Sequence, residues 1–146
     1  MKVLESPLSK NVQATYCLDI GDFHFFENFI VAEFKQGAYV SFNDFKEIFD
    51  LSREFFSTKP YGFISNRVNS FSVNLLDIIK QKHNILHLSA YAIVTYSHNT
   101  KRILAIEDYY FKSKRKQFNS LIDAANWVIE KTGIASITPL NKYHHP

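Results

Sequence analysis

Two apolar runs in this chain end in the same way. Tyr61-Gly-Phe-Ile-Ser-Asn66 and Leu88-Ser-Ala-Tyr-Ala-Ile-Val-Thr-Tyr96 each stop at a cluster of polar residues, and a helical pattern opens beyond. A mixed apolar run with little alternation suits a strand covered on both faces. Parallel neighbours of that kind need crossover helices, so the repeated unit confines the chain to an α/β fold with a largely parallel sheet. It also marks where function collects, because ligands of such sheets sit at the carboxyl ends of the strands.

The flanking pattern completes the expectation. From Ala14 to Phe26 the chain is apolar and β-prone through Tyr16, Leu18, Ile20, Phe23, Phe25 and Phe26, with Gly21-Asp22 as a bulge or bend. Glu27-Asn28 reads as a tight turn, since Asn tolerates positive φ, and Phe29-Ile-Val-Ala-Glu-Phe34 returns as the second strand of an antiparallel hairpin. Ser41 caps a first helix, with Asp44 at the capping-box spacing. Phe45, Ile48, Phe49, Ser52, Phe55 and Phe56 share one face of it, and Lys59-Pro60 ends it. Asn74 caps a second helix, from Leu75 to about Lys82. A third runs from about Asn99 to Phe111, and a short edge strand lies near Gln117-Phe118. Ser120 caps the last helix, with Asp123 three residues on, and Gly133 stops it. The fold class is α/β: a mixed, largely parallel sheet of about five strands, an N-terminal antiparallel hairpin and about four helices. A single domain at residues 14–133 lies between a loose arm at 1–13 and a loose tail at 134–146.

The length of 146 residues fits one domain that needs no disulfide staples. With 14 Phe and 8 Tyr, the core should be aromatic-rich. The lone Cys17, in a strand pattern, reads as a buried, inert thiol. A net charge of +3 makes no case for nucleic acid. No run has the length and apolarity of a membrane span, and the first residues lack a secretory h-region, so the expected place is the cytoplasm.

Candidate site residues gather at the two strand ends. Asn66, Arg67, Asn69, Ser70 and Ser72 follow the first apolar run, and Ser97 and His98 follow the second. The first loop supports two readings. In one, helix amides and the Arg67 guanidinium form an anion site, where a phosphate on Ser70 would also be favoured. In the other, Asn69, Ser70 and Asn74 only turn and cap the chain while Arg67 makes a structural ion pair. His98 is either a loop histidine in solvent or a ligand-binding group. His83 and His87 have helical metal spacing but no further ligands in the sequence, so no metal is expected. Lys112-Ser-Lys-Arg-Lys116 reads as a solvated basic loop beside a sheet edge. Only 4 Gly are present, none at phosphate-loop spacing, and no cofactor is expected.

Phe25-Phe-Glu-Asn28, Ile64-Ser-Asn-Arg-Val-Asn-Ser70 and Ala92-Ile-Val-Thr-Tyr-Ser97, together with the order of elements, resemble the SpoIIAA-like proteins of the STAS/CRAL-TRIO fold group, in an uncharacterised Bacteroidetes-type bacterial branch. The resemblance covers roughly residues 14–132. It implies either a small regulator, in which a serine between a strand and a helix is phosphorylated by a partner kinase, or a carrier of an apolar ligand. The chain departs from the first pattern, with Asn69-Ser70 where an Asp-Ser pair would stand, and it is short for a full lipid carrier. The leading expectation is a non-enzymatic regulatory or protein-interaction module. It would use residues 65–74, open to switching by phosphorylation at Ser70 or Ser72, on an unidentified protein partner. The alternative is a binder of a small apolar or anionic ligand. A homodimer is compatible with either, and no membrane insertion is expected.

Overall fold

The computed structural model describes residues 1–77, 79–80, 88–111 and 115–133. The strands are β1 (Ala14–Leu18), β2 (Gly21–Phe25), β3 (Phe29–Phe34), β4 (Tyr39–Val40), β5 (Gly62–Asn66), β6 (Ser72–Val73), β7 (Ala90–Val94) and β8 (Lys116–Phe118). The helices are α1 (Phe42–Phe56), α2 (His98–Phe111) and α3 (Leu121–Lys131), with residues 75–77 and 79–80 also helical. The main sheet has six strands in the order β1-β2-β3-β5-β7-β8. Its first two pairings are antiparallel and the other three parallel. This is the expected α/β class with a mixed, largely parallel sheet.

Two details of the count differ from expectation. The stretch from Ala14 to Phe26 is not one strand: residues 19–20 turn the chain, and β1 and β2 pair as a hairpin of their own. Residues 37–40 and 70–74 also meet, as the short parallel ladder β4–β6. The turn at Glu27-Asn28 forms as expected, closed by the Phe26 amide donating to the Phe29 carbonyl at 2.8 Å, but Asn28 does not take positive φ. Helix α1 stops at Phe56, before Lys59-Pro60, where Ser57 turns to φ 57°.

Strand alternation sends side chains to two cores. On one face Phe23, Phe25, Phe34, Phe63 and Tyr91 pack beneath Phe45, Ile48, Phe49 and Phe56 of α1 and Leu104 of α2. On the other, Val31, Ile64, Ala92 and Val94 pack beneath Ala124, Ala125 and Val128 of α3 and beneath Val3 and Leu8. The aromatic-rich core is thus concentrated on the α1 side. On the α3 side the layers come close enough that a Cβ at Gly62 would collide with Val128 Cγ1, which is why β5 begins with glycine.

The expected loose arm at residues 1–13 is instead docked. Val3 and Leu8 are fully buried, and Ser6 caps a short turn by accepting from the Leu8 amide. Two apolar anchors and a cap stabilise a segment that composition alone marks as polar. Cys17 is exposed rather than buried, and a hydrogen bond to Asp22 and that carboxylate's charge push its thiol up. The expected tail at 134–146 lies outside the described residues. No helix among the described residues is long and apolar enough to cross a membrane.

Candidate functional site

The carboxyl ends of β3, β5 and β7 lie side by side, because these strands are parallel neighbours. Asn66 and Arg67, consecutive at the end of β5, point to opposite faces of the sheet.

On the face covered by residues 1–11, a row of polar side chains crosses four strands and ends at Tyr96, just beyond β7. Thr15 Oγ1 meets His24 Nδ1 at 2.9 Å, and His24 Nε2 meets Glu33 Oε1 at 3.2 Å. Asn66 Nδ2 donates to Glu33 Oε2 at 2.8 Å, and the Tyr96 hydroxyl donates to Asn66 Oδ1 at 2.7 Å. The N-terminal segment closes the row. The Val3 amide donates to Glu33 Oε2 at 2.9 Å, and the Met1 carbonyl accepts from Asn66 at 2.9 Å. Burial pushes the Glu33 carboxyl up, but the hydrogen bonds from His24, the Val3 amide and Asn66 outweigh it and hold the group below its ordinary value. Burial, then the Glu33 charge, pushes Tyr96 up to about 12, so its phenol stays a donor.

On the opposite face Arg67 is 7% exposed and makes a two-pronged pair with Glu107 of α2, at 2.7 and 3.2 Å. Its guanidinium lies 4.7 Å from the centre of the Phe71 ring. Arg115 also approaches Glu107, at 3.3 Å from Oε1, and bonds Asp108 at 2.6 Å. Burial works against the charge of Arg115, but Tyr91, Glu107 and Asp108 more than compensate. Of the two readings of Arg67, the structure therefore shows the ion pair. The expected solvated basic loop needs a matching correction: Arg115 is sealed in, and residues 112–114 lie outside the described residues, as do His83 and His87.

The loop after Arg67 is stitched down by its own backbone. Asn69 Nδ2 donates to the Phe34 carbonyl at 3.0 Å. The Ser70 amide donates to Gln36 Oε1 at 2.9 Å, and the Ser72 and Asn74 amides donate to Ala38 and Val40 at 2.9 Å each. Asn74 Oδ1 in turn accepts from the Leu76 and Asp77 amides, as a cap should. Of the candidate residues here, Asn66, Arg67 and Asn69 are engaged internally, while Ser70 and Ser72 are exposed.

The second strand end differs. Thr95, Tyr96, Ser97, His98, Lys101 and Asn119 line an open cleft of about 380 Å³. Ser97 Oγ lies 2.9 Å from Thr100 Oγ1 and accepts from the Thr100 amide at 3.4 Å, so it opens α2 as a loose cap. The cleft thus unites Ser97 and His98 from the sequence reading and separates them from Arg67, Asn69, Ser70 and Ser72. Among the described residues no three His, Cys, Asp or Glu side chains come together as metal ligands.

Sequence reasoning missed Glu33, His24, Thr95, Lys101 and Asn119. Glu33 carried a legible signal: a carboxylate inside an otherwise apolar strand buried on both faces must find partners. Lys101 and Asn119 carried none, because exposed polar residues in a helix and a loop are ordinary. Comparison of the chain with protein-family models, with curated proteins and with solved structures finds no match.

Proposed function

We propose that this protein is a non-enzymatic binding module for a small ligand, seated in the cleft at the carboxyl end of β7. One observation carries the reading: at β5 the polar groups of the strand end are engaged within the protein, whereas at β7 they line an open cleft. A cleft of this volume falls at the lower end of the roughly 300–1,000 Å³ usual for small-molecule sites. Binding is favoured over catalysis because Tyr96 is held as a neutral donor and the Glu33–His24 pair is covered by the N-terminal segment. The resemblance to SpoIIAA-like proteins and a cytoplasmic place of action belong to the same proposal. The test is a fragment titration followed by amide NMR. Saturable shifts confined to residues 95–101 and Asn119 are expected, and fragments that perturb the molecule elsewhere, or nowhere, would sink the idea.

A second reading keeps the protein partner. Ser70 and Ser72 present exposed hydroxyls on a loop whose backbone is fixed to residues 36–40, a rigid and accessible place for a phosphate. Ile103, Ile106 and Tyr109 also put apolar side chains on the outside of α2, which suits a partner or a second copy. Intact mass and peptide mapping of protein from its own cells decide the switch. Phosphate on either serine supports it, and unmodified peptides across residues 68–74 count against it.

A further inference from the structure

The cleft reading leaves the ligand's chemistry open, and the lining residues narrow it. We propose that the cleft binds a small organic phosphate, with the phosphoryl group against the start of α2 and the organic part against Tyr96. This rests on the cleft being a ligand site at all.

Four features point to that class. First, no carboxylate among the described residues lines the cleft. The side chains there are the hydroxyls of Thr95 and Ser97, the imidazole of His98, the ammonium of Lys101, the amide of Asn119 and the phenol of Tyr96. All but the phenol, whose hydrogen already goes to Asn66, can direct a hydrogen toward a bound oxyanion. Second, the first amides of the 14-residue helix α2 open beside them, where the macrodipole also favours negative charge. Third, Thr95 lines the cleft although it is only 3% exposed, so a hydroxyl-bearing side chain stands there fixed by its surroundings. Fourth, the cleft is large for a free ion, and Tyr96, 45% exposed, offers an apolar wall for an attached organic group.

The negative charge that acts on Tyr96, that of Glu33, does not oppose the idea. Glu33 lies behind Tyr96, and its carboxylate is already met by His24, the Val3 amide and Asn66. A phosphate monoester fits better than a carboxylate because its three terminal oxygens can take up more of the donors that converge here.

The experiment is an amide NMR titration of the full chain with phenyl phosphate, inorganic phosphate, benzoate and neutral benzamide. Phenyl phosphate should shift residues 97–101 and Asn119 saturably and bind more tightly than the other three. Lys101→Ala should weaken it about 10-fold or more, as expected for a charge-assisted contact. Thr95→Val should weaken it by several-fold, and an otherwise unchanged spectrum shows that this variant still folds. Benzamide binding as tightly as phenyl phosphate, with Lys101→Ala silent, would overturn the phosphate inference and leave the cleft as a site for another class. Benzoate matching phenyl phosphate would overturn it in favour of a carboxylate. Shifts confined to scattered surface lysines, or none at all, would overturn both the inference and the site.

Discussion

Two strand ends of this molecule start from the same design and diverge. β5 and β7 are adjacent, parallel and buried, and each runs into polar residues and then a helix. At the end of β5, Asn66 joins the Thr15–Tyr96 row, Arg67 pairs with Glu107, and Asn69 and the backbone of residues 70–74 bond to residues 34–40. At the end of β7, the cleft residues face open space. The helix starts differ in the same way. The first amides of α1 are closed by Ser41, Asp44 and, from the distant helical residues 75–77, Asp77, while α2 has among the described residues only the loose cap of Ser97. A polar cluster at a strand end is therefore not yet a site. What matters is whether tertiary partners have already taken its hydrogen bonds.

The comparison can be broken most directly at Arg67. Arg67→Met leaves Glu107 buried with Arg115 as its remaining partner, and should cost about 3 kcal/mol, at the lower end for breaking a buried pair. Urea denaturation reads this as a lower midpoint. A loss well under that would mean the ion pair is peripheral and would reopen the loop as an anion site.

Asn66→Ala tests the other half of the β5 junction. It removes a donor to Glu33 and the acceptor of Tyr96, and should destabilise by about 1–3 kcal/mol through unmet polar groups. Unchanged stability would show that the row is held by its flanks and not by its middle.

The pH dependence sharpens the role of Glu33. Its folded-state pKa lies below the ordinary value for a glutamate, so the folded protein releases this proton more readily than the unfolded chain. The contribution to stability is complete above about pH 4.5 and is lost as pH falls through the lowered folded value. Glu33→Gln should be less stable than wild type at pH 7, with the gap narrowing in acid. Parallel stability curves for the two proteins down to pH 3 would contradict this assignment.

The smallest effect is expected at the β7 junction. Lys101 is exposed and makes no ion pair among the described residues, so Lys101→Ala should change stability by no more than about 0.5 kcal/mol. A large loss in thermal denaturation would place Lys101 in the structure and not in the ligand seat.

The helix starts were legible from the sequence because capping is local. Ser41 with Asp44 and Ser120 with Asp123 are three residues apart and form as expected, and Asn74 caps its helix as expected by accepting from the Asp77 amide. The buried face of α1 was legible for the same reason. The β4–β6 ladder was not, since two residues per strand carry no period and the partners lie more than thirty residues apart. The burial of Arg115 was hidden by its basic neighbours, because composition cannot say which member of a charge run turns inward.

The sequence by itself determined the alternation of strand and helix, and with it the α/β class, the parallel ladder and the position of each helix start. Those depend on periodicity and on side chains a few residues apart. Only the tertiary structure decided which of the two strand ends keeps its polar groups uncommitted. Arg67 meets Glu107 forty residues away, and Asn66 meets the carbonyl of Met1 sixty-five residues before it. Such partners are fixed by register and packing across the whole sheet, and no local pattern specifies them.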